Sequence, residues 1–332
     1  MSESVIVEPA RRSAALVWQP KTPVFWVTAA LILIFGVTTA VELVMLVSNV
    51  SALTAALILL AIQGVLLWLI LRAIARFRRQ PRSLRLTALV WGATVVPGIA
   101  MIANTAYNTP LWSFGLESLS ASLTAPINED ALRTLGVFAV LMLGYGRKIT
   151  VMDGAVYGFL VGMGFEVIEN FLYALRGDDL AGTLTTGFTR LLVGFGLHAL
   201  WTTVAGAGLA YCLSRRQQRL SGRWWVFALA MIVPMVLHAG WDAPPLSIFP
   251  WVKLLLLVVL YAVSVLAFFV AVRCGRRSEF AWFSAVTRSP LDLGAFKKLP
   301  RAERRRLSAA AVAKETSAGA DPVVVEMDLP AR

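Results

Sequence analysis

The chain carries two histidines, His198 and His238, and both stand inside long apolar runs. Four residues after His238 comes Asp242, and a separation of four places two side chains on one helical face. Glu129 and Arg133 share that spacing with Asp130 beside them, while Glu166 and Glu169 are three apart and Asn170 follows directly. A charge at mid-bilayer costs on the order of 2.5–3.5 kcal/mol, so ionisable groups within such runs require a reason. Imidazole and carboxylate groups can together supply an activated water, a base that takes its proton and a group that stabilises an oxyanion, the needs of peptide-bond hydrolysis. In a metal version, His198, His238 and Asp242, with Glu169 in support, ligate zinc while Glu129 acts as base. In a metal-free version, Glu129 activates water directly and one histidine stabilises the oxyanion. The residue types fit both. Plainer roles compete at each position: histidines bonded across helices, carboxylates at an interfacial helix N-terminus, and Glu169 with Asn170 bonded to a neighbouring helix.

The elements that must carry these groups are membrane spans. Of 332 residues 58% are hydrophobic and 15% charged, with a mean hydropathy of +0.71, a composition that excludes an ordinary soluble domain. A span needs roughly 20 apolar residues, and about eight stretches qualify: 24–47, 51–74, 84–106, 129–146, 151–175, 188–213, 224–243 and 251–273. The expected fold is an all-α polytopic bundle. The polar first 22 residues lead straight into a full-length span with no small-residue cleavage site, so no removable signal is expected. Cys212 and Cys274 form neither a C-x-x-C pair nor a zinc-finger spacing, which argues against a cysteine metal site.

The formal charge of +12 points to topology and not to nucleic acid, because the arginines lie between the apolar runs and in the tail. Arg76, Arg78, Arg79, Arg82 and Arg85, then Arg147 and Lys148, then Arg215, Arg216, Arg219 and Arg223, and finally Arg273, Arg276 and Arg277 mark inner loops. Stretches 107–128 and 244–250 hold no positive charge. Both termini are therefore expected in the cytoplasm of a cell-membrane protein. With ~1.5 Å of rise per residue, the polar groups all fall in the outer half of the bilayer. That clustering disfavours a proton-coupled transporter, whose polar residues would span both halves. The expected division is an N-terminal tail (1–22), a membrane domain (23–273) with its motif-bearing core at 126–243, and a basic tail (274–332) too polar to build a core and suited to anionic lipid headgroups.

Gly162, Gly164, Phe165, Glu169 and Asn170 match a G-x-G-F-x-x-x-E-N pattern, preceded by Asp153, Gly154, Tyr157 and Gly158 in a D-G-x-x-Y-G approach. Glu129, Asp130 and Arg133 are similar to an E-E-x-x-K motif, and His198 with Trp201 and His238 with Trp241 and Asp242 to two histidine motifs. In this order the motifs resemble those of the PrsW family of intramembrane proteases, related to the type II CAAX prenyl proteases. The resemblance implies a four-helix catalytic core and Glu129, Asp130 and Glu169 as catalytic residues. His198, His238 and Asp242 would be ligands to zinc, with Arg133, Phe165 and Asn170 in support. It also implies a membrane-anchored protein substrate, with an anti-sigma factor as the family analogue. Asp130 and Arg133 depart from the pattern, the first shortening a carboxylate's reach by one methylene and the second exchanging a point charge for a planar fork. The wider superfamily also holds a non-proteolytic scaffold, so a multi-spanning protein that binds partner helices through the same cluster is the alternative.

Overall fold

In lipid, a lone apolar segment can satisfy its backbone polar groups only as a helix, and the described residues are helical wherever they are regular. The computed structural model describes residues 17–317 apart from 48, 75–79, 146, 178, 245–249 and 289–290. Arg76, Arg78 and Arg79, and the ends of both tails, lie outside the described residues. The helices are α1 (Pro23–Leu46), α2 (Val50–Ile74), α3 (Arg82–Ser113), α4 (Ser120–Leu143), α5 (Val151–Leu175), α6 (Leu180–Val193), α7 (Leu197–Gln217), α8 (Trp224–Asp242), α9 (Pro250–Thr287), α10 (Leu293–Lys298) and α11 (Arg301–Ser317).

Six of these, α1, α2, α3, α5, α8 and α9, are long and apolar enough to cross a membrane, and the bent pair α6–α7, if counted as one span, makes a seventh. The protein is thus a multi-pass membrane bundle. The eighth expected span is α4, whose 24 residues would reach about 36 Å, but which holds Glu129, Asp130 and Arg133. It begins nine residues before the expected 129, so the three charged groups lie well inside the helix and not at its N-terminus. The expected span 188–213 is also revised. It breaks between Val193 and Leu197, with a 41° bend between α6 and α7 and Gly196 at φ +81 in the left-handed region that favours glycine. His198 therefore occupies the first turn of a new helix instead of the middle of a long one.

At the centre stands α5, 89% of whose most apolar stretch is buried, against 6% for α1. Its start is set by a capping box in which Thr150 Oγ1 accepts from Asp153 N (3.2 Å) and Asp153 Oδ2 accepts from Thr150 N (2.9 Å). Its principal partner is α7, and the reason is a stripe of glycines. A Cβ at Gly154, Gly158 or Gly162 would lie 2.1–2.3 Å from the backbone oxygens of Gly206, Thr202 and His198. Without side chains there, the two backbones touch.

The tail departs from expectation. α9 continues to Thr287, and Trp282 and Phe283 pack with Phe296 of α10 and Ala311 of α11 in a small apolar cluster. Charged, small and polar residues lower the average hydropathy of this segment and mask the few aromatics that suffice for such a cluster.

Candidate active site

Four helices bring the predicted site residues together: α4 supplies Glu129, Asp130 and Arg133, α5 supplies Phe165, Glu169 and Asn170, α7 supplies His198, and α8 supplies His238 and Asp242. Arg133 is 0% exposed. A buried cation of this kind persists only when it is paired and hydrogen-bonded. Its Nη2 pairs with Asp130 Oδ1 and its Nη1 lies 3.4 Å from Glu129 Oε2, while the guanidinium stacks 4.7 Å from the Phe165 ring centroid. Asp130 uses its other oxygen on His238 Nδ1, at 3.2 Å. Nε2 of His238 is left 3.3 Å from Asp242 Oδ2 and 3.8 Å from Glu129 Oε2.

Aromatic surfaces hold the two imidazoles in place. His198 sits 4.9 Å from Phe165 and 5.3 Å from His238, centroid to centroid. Trp201 packs 4.7 Å from His238 at an interplanar angle of 30°, and its indole N–H donates to Ser264 Oγ at 2.9 Å. Phe165 is thus shared between Arg133 and His198, which gives that motif position a physical role.

Glu169 Oε2 lies 3.4 Å from His198 Nδ1 and accepts an ion-paired hydrogen bond from Arg190 Nη2 at 2.7 Å. Arg190 also donates through Nε to Asn170 Oδ1 and stands 4.0 Å above the Tyr173 ring. The motifs do not include Arg190. Its one signal in the sequence is that it stands as a lone arginine within the run expected as span 188–213. Glu166, set apart from the motif, does structural work instead. Its Oε1 accepts from Gly196 N at 2.6 Å and from Gln63 Nε2 at 2.9 Å, so it caps the first turn of α7, where His198 begins. Glu42, away from the site, pairs with Arg176 at 2.9 Å.

Donor atoms of Glu129, His198 and His238 all lie within 4.8 Å of one another, and the three residues are buried. His198 Nδ1 is an enclosed nitrogen that meets no hydrogen-bond criterion and has the Glu169 carboxylate as its polar neighbour. Two imidazoles and a carboxylate make the nitrogen and oxygen set of catalytic metal sites, so the residues fit a metal ion. Asp242 touches this group through His238 only. These side chains open on a cavity of about 570 Å³, lined also by Asn104 and Asn108 of α3, Thr124 of α4, Arg190 of α6 and Trp241 of α8.

A family model described as PrsW family intramembrane metalloprotease matches residues 80–272, more than half of the chain and all of the helices that build the site. The chain is also similar to a curated protein, Protease PrsW of Shouchella clausii (strain KSM-K16), with 27% identity over 114 residues, 34% of this chain and 48% of that relative. It spans about half the length of that relative. No solved structure matches it at a comparable level of significance.

Proposed function

Because the chain belongs to the PrsW family of intramembrane metalloproteases, we propose that it hydrolyses a peptide bond in a membrane-anchored protein, with Glu129 as the base that activates water. The observation that carries this reading is the convergence of Glu129, His198 and His238 from three helices on one cavity. His198 and His238, with Asp242 as the third expected ligand beside His238 Nε2 and Glu129 close enough to compete for that place, would hold a zinc ion, which when bound supplies a Lewis acid and a water acidified toward neutrality. Asp130 accepts from His238 Nδ1 and so turns Nε2 toward Asp242 and Glu129, the usual way a carboxylate orients a ligating imidazole. Arg133 balances Glu129 and Asp130 while leaving Glu129 beside the histidines. Glu129 takes the proton from water and returns it to the departing amide nitrogen. Arg190 holds Glu169 against His198 and Asn170 beside it.

The substrate in this reading is a single-span regulatory protein of the anti-sigma class, an assignment that rests on the family resemblance. The arginine-rich loops support a cell-membrane protein with both termini in the cytoplasm and the site toward the outer face; terminal reporter fusions active only in the cytoplasm are expected to be active at both ends.

The test uses the purified full chain in lipid nanodiscs with a fluorogenic single-span peptide, and metal analysis alongside. Glu129→Gln is expected to keep its zinc and lose cleavage by at least about a hundredfold, whereas His198→Ala loses both. Zinc lost from Glu129→Gln would move Glu129 into the ligand set, and wild-type cleavage by either variant would overturn the reading.

A further inference from the structure

A peptide bond held in a helix keeps its carbonyl bonded and shielded, so a membrane-embedded protease must receive its substrate locally unwound. Each backbone N–H and C=O freed in a cavity walled by helices carries a penalty unless the protein provides a partner. One wall of the cavity supplies such partners. Asn104 and Asn108 stand one turn apart on α3 and both line the space that Glu129, His198 and His238 line. An asparagine amide offers donors and acceptors together, as a peptide group does. Asn108 Oδ1 is enclosed and has no hydrogen-bond partner, an arrangement that calls for an explanation in a native fold. Asn104 accepts from Asn128 Nδ2 at 3.2 Å, which ties this wall to α4 one residue before Glu129.

Hydroxyl groups of Thr105 and Thr124 on the cavity lining have their protons already committed. Thr105 donates to Met101 O at 2.9 Å and Thr124 to Ser120 O at 2.8 Å, each within its own helix. We infer that Asn104 and Asn108 form a subsite that reads the backbone of an unwound substrate segment next to the cut. The enzyme then selects single-span proteins with a helix-breaking stretch, such as paired glycines, over uninterrupted helices of the same length. This inference rests on the protease reading for its biological meaning, but the binding it asserts is measurable without turnover.

The experiment uses the full chain carrying Glu129→Gln in nanodiscs and two dye-labelled, lysine-flanked leucine–alanine peptides of about 25 residues, one continuous and one with Gly-Gly at its centre. The parent is expected to bind the Gly-Gly peptide more tightly. Adding Asn104→Leu with Asn108→Leu is expected to weaken the Gly-Gly peptide about tenfold, the effect of losing two hydrogen bonds, and to leave the continuous peptide unchanged. Asn108→Ala alone, read in the same way should the double variant not fold, is expected to give a smaller loss confined to the Gly-Gly peptide. Equal binding of the two peptides by the parent, or a loss shared by both peptides, or no loss, overturns the subsite. A Gly-Gly peptide bound through the asparagines but left uncut by the wild-type chain would count against the protease reading and leave the subsite standing.

Discussion

Arg133 ties together three residues of the site, touching Glu129, Asp130 and Phe165 while wholly buried. Its removal strands two buried carboxylates, so Arg133→Ala is expected to destabilise the protein by about 3–5 kcal/mol, seen as a lower melting temperature of the full chain in detergent. Arg133→Lys keeps the charge but loses the fork that addresses two carboxylates, and an intermediate loss is expected. Asp130 acts on His238 at one remove from the cavity. Asp130→Asn takes a charge from the buried Arg133 pair and is expected to lower the melt, and in the protein that folds to reduce zinc affinity and cleavage about 10–100-fold; a variant that binds zinc normally and cuts at full rate would show that Asp130 has no such positioning role. Arg190, partly exposed, stands out in the sequence only as a lone arginine in an apolar run, and its neighbours in the chain do not reveal that it will meet Glu169, 21 residues away.

At the level of elements, the site depends on how closely α5 and α7 approach. Gly162→Leu places atoms where the backbone of His198 already lies, so loss of cleavage and about 1–3 kcal/mol of stability are expected from overpacking. Gly64→Ala on α2 is the contrast: a Cβ there meets nothing within 4 Å, and the alanine should hold or raise stability by up to about 1 kcal/mol. Glu166→Ala removes the acceptor at the start of α7 and is expected to cost about 1–3 kcal/mol and to lower cleavage through His198, although Glu166 itself is assigned no chemistry. The glycine stripe was visible in the sequence as a helical repeat. The α6–α7 break was not, because Gly194 and Gly196 are tolerated within apolar helices and only the cap supplied by Glu166 and Gln63 shows why the chain stops and restarts there.

Across the whole molecule, the membrane bundle and the small tail cluster behave as separable parts. Phe296→Ala is expected to open α11 to trypsin at its arginines while leaving cleavage at the wild-type rate; a matching loss of cleavage would show that the tail supports the site. Hydropathy, charge in the loops and spacing along single helices are local properties, and from these the sequence alone determined a multi-pass helical membrane protein, while its motifs carried the family resemblance but gave no sign of Asn104 or Asn108 on the cavity wall. Which carboxylate faces which imidazole was decided only by tertiary structure. Asp130 and His238 are 108 residues apart and Gln63 and Glu166 are 103 apart. Their pairing follows from how α4 packs on α8 and α2 on α5, a relation set by two backbones at once and so by no segment read alone.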